Sequence, residues 1–283
     1  MKLNFGGIPE EFTDYDRSRI VILPVPYDGT STWMKGADKG PLKAIEASPQ
    51  IEWYDSELDF EVYKEGIFTD EALTVPSEPA AMVSVVGQRV SFHLKNGKFV
   101  MMLGGEHSVS IGAVKAFHEK FSDMTVLQLD AHSDLRDEYL GSKYNHACVM
   151  ARVGEMCSFT QVGIRSMDIS EKARMDIKRV FWARDIYSNR KWIPKVLSQL
   201  GKNVYVTIDV DVFDPSIMPS TGTPEPGGLF WYDVMDLLKA VMREKNVVGF
   251  DVVELKPIAE NPAPDFLVAR LVYQLLGYRF AGK

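Results

Sequence analysis

Seven apolar runs of strand length alternate along the chain with longer stretches of helical period, and this alternation restricts the fold more than any other feature. The runs are Ile20 to Val25, Phe99 to Leu103, Thr125 to Leu129, Thr160 to Ile164, Val180 to Trp182, Val204 to Ile208 and Val247 to Val253. They are mostly continuous rather than alternating, which suits strands buried on both faces of a parallel sheet. Helical period marks Ala80 to Leu94, Ile111 to Phe121, Ile193 to Leu200, Tyr232 to Met242 and Asp265 to Leu276. In the fourth of these, Val234, Leu237, Leu238, Val241 and Met242 form the stripe of a helix lying on a sheet. The βαβα order predicts an α/β class: a doubly wound, three-layer α/β/α fold with a mostly parallel sheet of about seven to eight strands.

The chain has 283 residues and no Pro/Gly/Ser-rich or charged run that reads as a linker, so one domain over 1–283 is expected. With 46% hydrophobic and 25% charged residues, it has enough apolar side chain for a core without disulfides. A net charge of −7 argues against a nucleic-acid partner, because binding a phosphate backbone relies on clustered Lys and Arg. The first residues carry no apolar signal-peptide core, and no apolar stretch approaches the ~18 residues needed to span a bilayer, so no membrane partner and a cytoplasmic location are expected. Cys148 and Cys157 are not in CxxC spacing and read as two free, largely buried thiols, neither a good nucleophile.

Three polar segments follow apolar runs: Gly104-Gly105-Glu106-His107-Ser108, Asp130-Ala131-His132-Ser133-Asp134 and Asp209-Val210-Asp211. In open parallel sheets ligands bind beyond the carboxyl ends of strands, so the three segments are predicted to meet in one crevice. In extended backbone, residues at i, i+2 and i+4 share a side, which would aim Asp130, His132 and Asp134 together, and Asp209 with Asp211. A lone Asp after a strand is usually a loop or cap residue, and a lone His inside a helix, such as His93 or His118, reads as structural. Carboxylates gathered at one site, however, need a counter-ion. Oxygen-rich ligands with imidazole and no thiolate favour manganese, leave zinc, cobalt, iron or nickel open, and disfavour a structural zinc site.

These segments, together with Ile208-Asp209-Val210-Asp211-Val212-Phe213-Asp214-Pro215 and Thr221-Gly222-Thr223-Pro224-Glu225-Pro226-Gly227-Gly228-Leu229, resemble the ureohydrolases, the arginase and agmatinase family, and look closest to bacterial and archaeal agmatinases. The likeness runs from Pro24 to Glu254. It implies an arginase-like fold and two manganese ions per chain, one held by His107, Asp130, Asp134 and Asp209, the other by His132, Asp211 and the bridging Asp130 and Asp209. It further implies that a metal-bridging hydroxide attacks a guanidinium carbon and releases urea, agmatine giving putrescine, with guanidinobutyrase, guanidinopropionase, formimidoylglutamase, arginase or guanidine hydrolase as the alternative activities. The catalytic residues implied are Asp134, accepting a hydrogen bond from the hydroxide, Glu254, pairing with the guanidinium, and His146, carrying a proton to the leaving amine. A small guanidino substrate and a homo-oligomer, trimer or hexamer, are implied as partners.

Two positions depart from the family pattern. Glu106 stands where many relatives carry Asp, and Leu135-Arg136-Asp137-Glu138-Tyr139 lacks the small amide with which arginases hold the amino-acid end of arginine. Asp137 or Glu138 is expected either to face a distal ammonium or to be a solvated surface charge. The loop from Pro219 to Pro226 is expected either to wall the entrance or to be structural only, and Trp33, Trp53 and Trp231 to be core or subunit contacts. Two other classes stay open on the residues alone: a deacetylase-like zinc amidohydrolase, which would use one metal and fewer ligands, and a metal-stabilised binding protein without catalysis.

Overall fold

The computed structural model describes residues 4–189 and 191–282. Eight strands, β1 (Ile20–Val25), β2 (Ile67–Thr69), β3 (Phe99–Gly104), β4 (Thr125–Leu129), β5 (Phe159–Ile164), β6 (Val180–Trp182), β7 (Asn203–Asp209) and β8 (Asn246–Val253), form one sheet in the order β2-β1-β3-β8-β7-β4-β5-β6. Every pairing in it is parallel. The predicted runs match strands to within a residue. β2 is the strand that the pattern missed: it is three residues long and lies at the sheet edge, too short to show a period.

The helices are α1 (Gly40–Ala47), α2 (Pro79–Lys95), α3 (Val109–Lys120), α4 (Val149–Gly154), α5 (Ala183–Ser188), α6 (Ile193–Gln199), α7 (Trp231–Glu244) and α8 (Ala263–Phe280). They divide the core between the two faces of the sheet. Val86 and Val90 of α2 and Val114 and Phe117 of α3 pack with Val100, Val126 and Tyr205 on one face. On the other, Leu237 and Val241 of α7 and Leu271 and Leu275 of α8 pack with Met101, Leu127 and Val206. This is the three-layer α/β/α arrangement, and it explains why the central strands are apolar at successive positions: both faces of each are covered. None of the described helices is long and apolar enough to cross a membrane.

An ion pair on the buried carboxylate of Asp70 ties the edge of the sheet to α2. Arg89 of α2 donates Nε and Nη2 to the two oxygens of Asp70, each at 2.7 Å, and His93 Nε2 lies 2.9 Å from Asp70 Oδ2. His93 is thus structural, as its place on a helix suggested. Burial pushes the Asp70 carboxyl up, but hydrogen bonds from His93 and Arg89 outweigh it and hold the group well below the usual carboxylate range. A carboxyl depressed on folding stabilises the native state above its unfolded pKa, and that contribution is lost as pH falls below about 4 toward its folded value. Asp70→Asn is therefore expected to lower unfolding free energy by about 2 kcal/mol at pH 7, the partly solvated Arg89 keeping the figure below that of a fully buried pair. Guanidinium-chloride unfolding at several pH values checks this, the gap to wild type narrowing below about pH 4.

Candidate metal centre and active site

The strand order brings the polar segments together. β3, β8, β7 and β4 are successive neighbours, so their carboxyl ends deliver His107, Glu254, Asp209 with Asp211, and Asp130 with His132 and Asp134 to one region about four strands wide. Glycine at 105 is required there: a Cβ would stand 2.0 Å from the Tyr27 carbonyl oxygen, where the Glu106 amide donates at 2.8 Å.

The segments reach the site as turns, not as strand extensions, which corrects the expectation of shared strand faces. β4 ends at Leu129, and Asp134 adopts a left-handed φ of 52°. β7 ends at Asp209 and passes into a 3₁₀ turn over Val210–Val212. Carboxylates bonded to backbone hold these turns: Asp130 Oδ1 accepts His132 N at 2.5 Å, Asp209 Oδ1 accepts Asp211 N at 2.9 Å, and Asp211 Oδ1 accepts Ala131 N at 2.9 Å. Asx turns of this kind compete with strand geometry, which is why alternation failed. The Asp134 carbonyl accepts the amides of Met150 and Ala151 in α4, fixing the end of the segment.

Two ligand groups result, sharing Asp130. His107, Asp130 and Asp134 form one; Asp130, His132 and Asp211 form the other. His107 Nδ1 lies 3.2 Å from Asp130 Oδ2, 3.0 Å from Asp134 Oδ2 and 3.5 Å from Asp209 Oδ2, so Asp209 stands beside the first group. His132 Nδ1 is 2.8 Å from Asp211 Oδ2 and 3.6 Å from Asp130 Oδ1. His107 Nδ1 is buried without a hydrogen bond of proper geometry. Its Nε2 lies 2.9 Å from Thr207 Oγ1, which donates to Asp251 Oδ1 at 2.7 Å. Having given its proton to Asp251, the hydroxyl accepts from Nε2–H, which leaves the Nδ1 lone pair among the carboxylates. An imidazole lone pair surrounded by carboxylate oxygens is the donor set of a hard to borderline divalent cation, so these residues fit the metals implied by the resemblance.

Electrostatics agree with that fit. Burial lowers the His107 imidazole, but the oxygens of Asp130, Asp134 and Asp209 hold it well above its usual range; His132 is raised likewise, burial opposing and Asp211 and Asp130 prevailing. Burial, then Asp211 and Asp130, raise Asp209, and burial and Asp130 push Asp134 up to about 7. Glu254 is raised by burial and by Glu106. Carboxylates this close ionise together only beside positive charge, and a cation bound to the imidazoles would displace their protons.

Glu254 follows β8 with φ 67°, and its Oε1 accepts the His107 amide at 2.8 Å. Glu254 and Asp134 thus both hold a backbone conformation that non-glycine residues rarely adopt, a pattern that concentrates at functional sites. His146 opens a 3₁₀ turn capped by the buried Asn145. Burial first, then His107 and His132, bring its imidazole down to about 4. Glu106, the departure from the family pattern, is fully buried and bonds Thr30 and Ser108.

These groups line a cavity of about 290 Å³ that contains His107, His132, Asp134, His146, Asp209, Asp211 and Glu254. Gly222 and Thr223 also line it, so the Pro219 to Pro226 loop walls the opening. Asp137 does not face the cavity; its carboxylate pairs with Arg152 at 2.8 Å and Arg174 at 2.9 Å, and Glu138 is exposed outside. Asp168 also lines the cavity, and its Oδ2 lies 3.3 Å from Arg136. Trp33 is not a core residue: it is 70% exposed and lines the cavity, while Trp53 and Trp231 pack against the core. Arg165, which belongs to none of the polar motifs, donates its guanidinium to the carbonyls of Asp211 at 2.6 Å and Glu225 at 2.8 Å and so ties the second ligand group to the wall loop. Nothing but a lone Arg two residues after a Gly signalled it. The thiols of Cys148 and Cys157 are free and both pushed up by burial to about 11, consistent with no nucleophilic role.

The sequence model of the arginase family matches residues 18–277. An N(1)-aminopropylagmatine ureohydrolase of Synechocystis sp. is 39% identical over 280 residues, covering 95% of this chain and 92% of the relative. An agmatinase of Pyrococcus horikoshii is 35% identical over 260 residues, covering 91% and 90%. The crystal structure of the agmatine ureohydrolase of Thermoplasma volcanium superimposes with a TM-score of 0.87 at 32% identity, covering 94% of this chain and 92% of the other. Fold, site and these likenesses define a hydrolase of the ureohydrolase class. The chain belongs to the arginase family.

Proposed function

We propose that the chain, working as one α/β domain over residues 1–283, is a binuclear manganese amidinohydrolase that releases urea from agmatine or a similar amine-tailed guanidino compound. The observation that carries this reading is the pair of ligand groups joined at the buried Asp130, with His107, His132, Asp134 and Asp211 of those groups lining the cavity. His107, Asp130, Asp134 and Asp209 would hold one ion, and His132, Asp211 and the shared Asp130 and Asp209 the other. Bound there, the ions supply a water that ionises near neutral pH and positive charge in the cavity. Asp134 accepts a hydrogen bond from the attacking water and orients it. Glu254 pairs with the guanidinium, whose planar donors match a carboxylate. His146 delivers a proton to the leaving amine, as a neutral imidazole can once it has taken one up.

A second substrate reading rests on the relatives: N(1)-aminopropylagmatine ureohydrolases of Synechocystis sp. and Thermus thermophilus are 39% and 40% identical to this chain, against 35% for the Pyrococcus horikoshii agmatinase. Both readings place an amine-bearing tail in the cavity, whose lining includes the Asp168 carboxylate paired with Arg136. Urea release measured with manganese on agmatine, N(1)-aminopropylagmatine and arginine tests them. An amine-tailed substrate is expected to exceed arginine at least about tenfold in kcat/KM, because among the described residues no amide side chain lines the cavity to hold the arginine carboxylate, and the guanidinium of Arg136 there already pairs with Asp168. Arginine as the best substrate would overturn the assignment.

A further inference from the structure

His146 is joined to the buried acid Glu106 through one hydroxyl. Thr30 Oγ1 lies 2.5 Å from Glu106 Oε2 and 3.2 Å from His146 Nδ1, and it accepts the backbone amide of His146 at 3.0 Å. The residue is therefore bonded to both the main chain and the ring of His146. Glu106 is itself immobile: it is fully buried, and Ser108 Oγ donates to its other oxygen. Tyr139 adds an edge-to-face contact at 6.2 Å between ring centroids, but offers no polar hold.

We infer that Thr30 is a positioning residue for the reaction: its hydroxyl, anchored on Glu106, occupies His146 Nδ1 and so presents Nε2 to the cavity. An imidazole on a 3₁₀ turn is free to rotate about two side-chain bonds, and a flipped ring would exchange its two nitrogens. The hydroxyl removes that freedom by marking one nitrogen. Nε2 then takes up and gives back the proton at a single place, and no proton has to cross the ring. Thr30 does not line the cavity, in contrast to Ser31, Thr32 and Trp33 that follow it, so its contribution reaches the substrate only through His146. This rests on the proton delivery proposed above for His146, whereas the ring geometry does not depend on the substrate.

Crystal structures and steady-state kinetics of manganese-loaded wild type, Thr30→Val and Thr30→Ser test the inference, with Thr30→Ala as a second hydroxyl-free variant should the valine not fold. Wild type and Thr30→Ser are expected to hold one ring orientation with Nδ1 on the hydroxyl. Thr30→Val is expected to show a rotated or doubly oriented ring, with kcat on the best substrate of the panel reduced tenfold to a hundredfold and KM within about twofold, the size of loss that misplacement by about an ångström brings. An unmoved ring, unchanged turnover, or failure of Thr30→Ser to restore either, overturns it. If wild type releases no urea from any compound in the panel, the substrate reading fails, and the ring orientations still decide the role of Thr30.

Discussion

Asp130→Asn is expected to abolish the reaction: bound metal should fall from two ions per chain to at most one, and urea release should drop by at least about 10³-fold, equivalent to about 4 kcal/mol. Asp130 is fully buried and belongs to both ligand groups, with Oδ2 beside His107 and Oδ1 beside His132. An amide has a similar shape but no charge, and only one of its two ends accepts, so it cannot serve both sides. The residue also orders the turn it sits on, accepting His132 N and the Gln128 side-chain amide at 2.7 Å. Circular dichroism of the variant separates loss of metal from loss of fold. Elemental analysis together with a urea assay reads the outcome, and a variant holding two ions with wild-type turnover would contradict the shared role.

Glu254→Gln is expected to keep both ions while kcat/KM falls by about 10² to 10³, or about 3 to 4 kcal/mol, the range for removing one charge from a desolvated hydrogen-bonded pair. The substitution is informative because it is local. Oε1 accepts the His107 amide, and a glutamine oxygen can keep that bond, so the main chain beside the first ligand group is preserved. What disappears is the negative charge proposed to face the guanidinium. Backbone strain is unchanged, since Gln at φ 67° is no worse placed than Glu. Kinetics on the best substrate, paired with metal content, check this; loss of metal in Glu254→Gln would move the residue from substrate binding to the metal centre.

Much of this architecture was legible in the chain because burial on both faces leaves a local imprint. The runs at Ile20 and Phe99 are apolar at every position, and the α7 stripe from Val234 to Met242 repeats with helical period; neither signal requires knowledge of distant contacts. The short edge strand Ile67–Thr69 lacks such an imprint. At the site, the residue types and their places after strands pointed to one crevice, and strand order then supplied the proximity. Asp130, His132 and Asp134 do not meet by strand alternation, since carboxylate-to-amide bonds bend that segment into a turn. Long-range pairings left no trace at all. The hydroxyl of Thr30 meets Glu106 across 76 positions, and Asp137 turns to Arg152 and Arg174, away from the cavity, for reasons that only the folded surface sets.

The count of metal ions in the purified, manganese-supplemented protein tests the binuclear centre most directly. Inductively coupled plasma analysis of the wild type is predicted to find two manganese ions per chain, with urea release lost on chelation and restored by readdition. One ion per chain, or full turnover after both are stripped, would contradict the account.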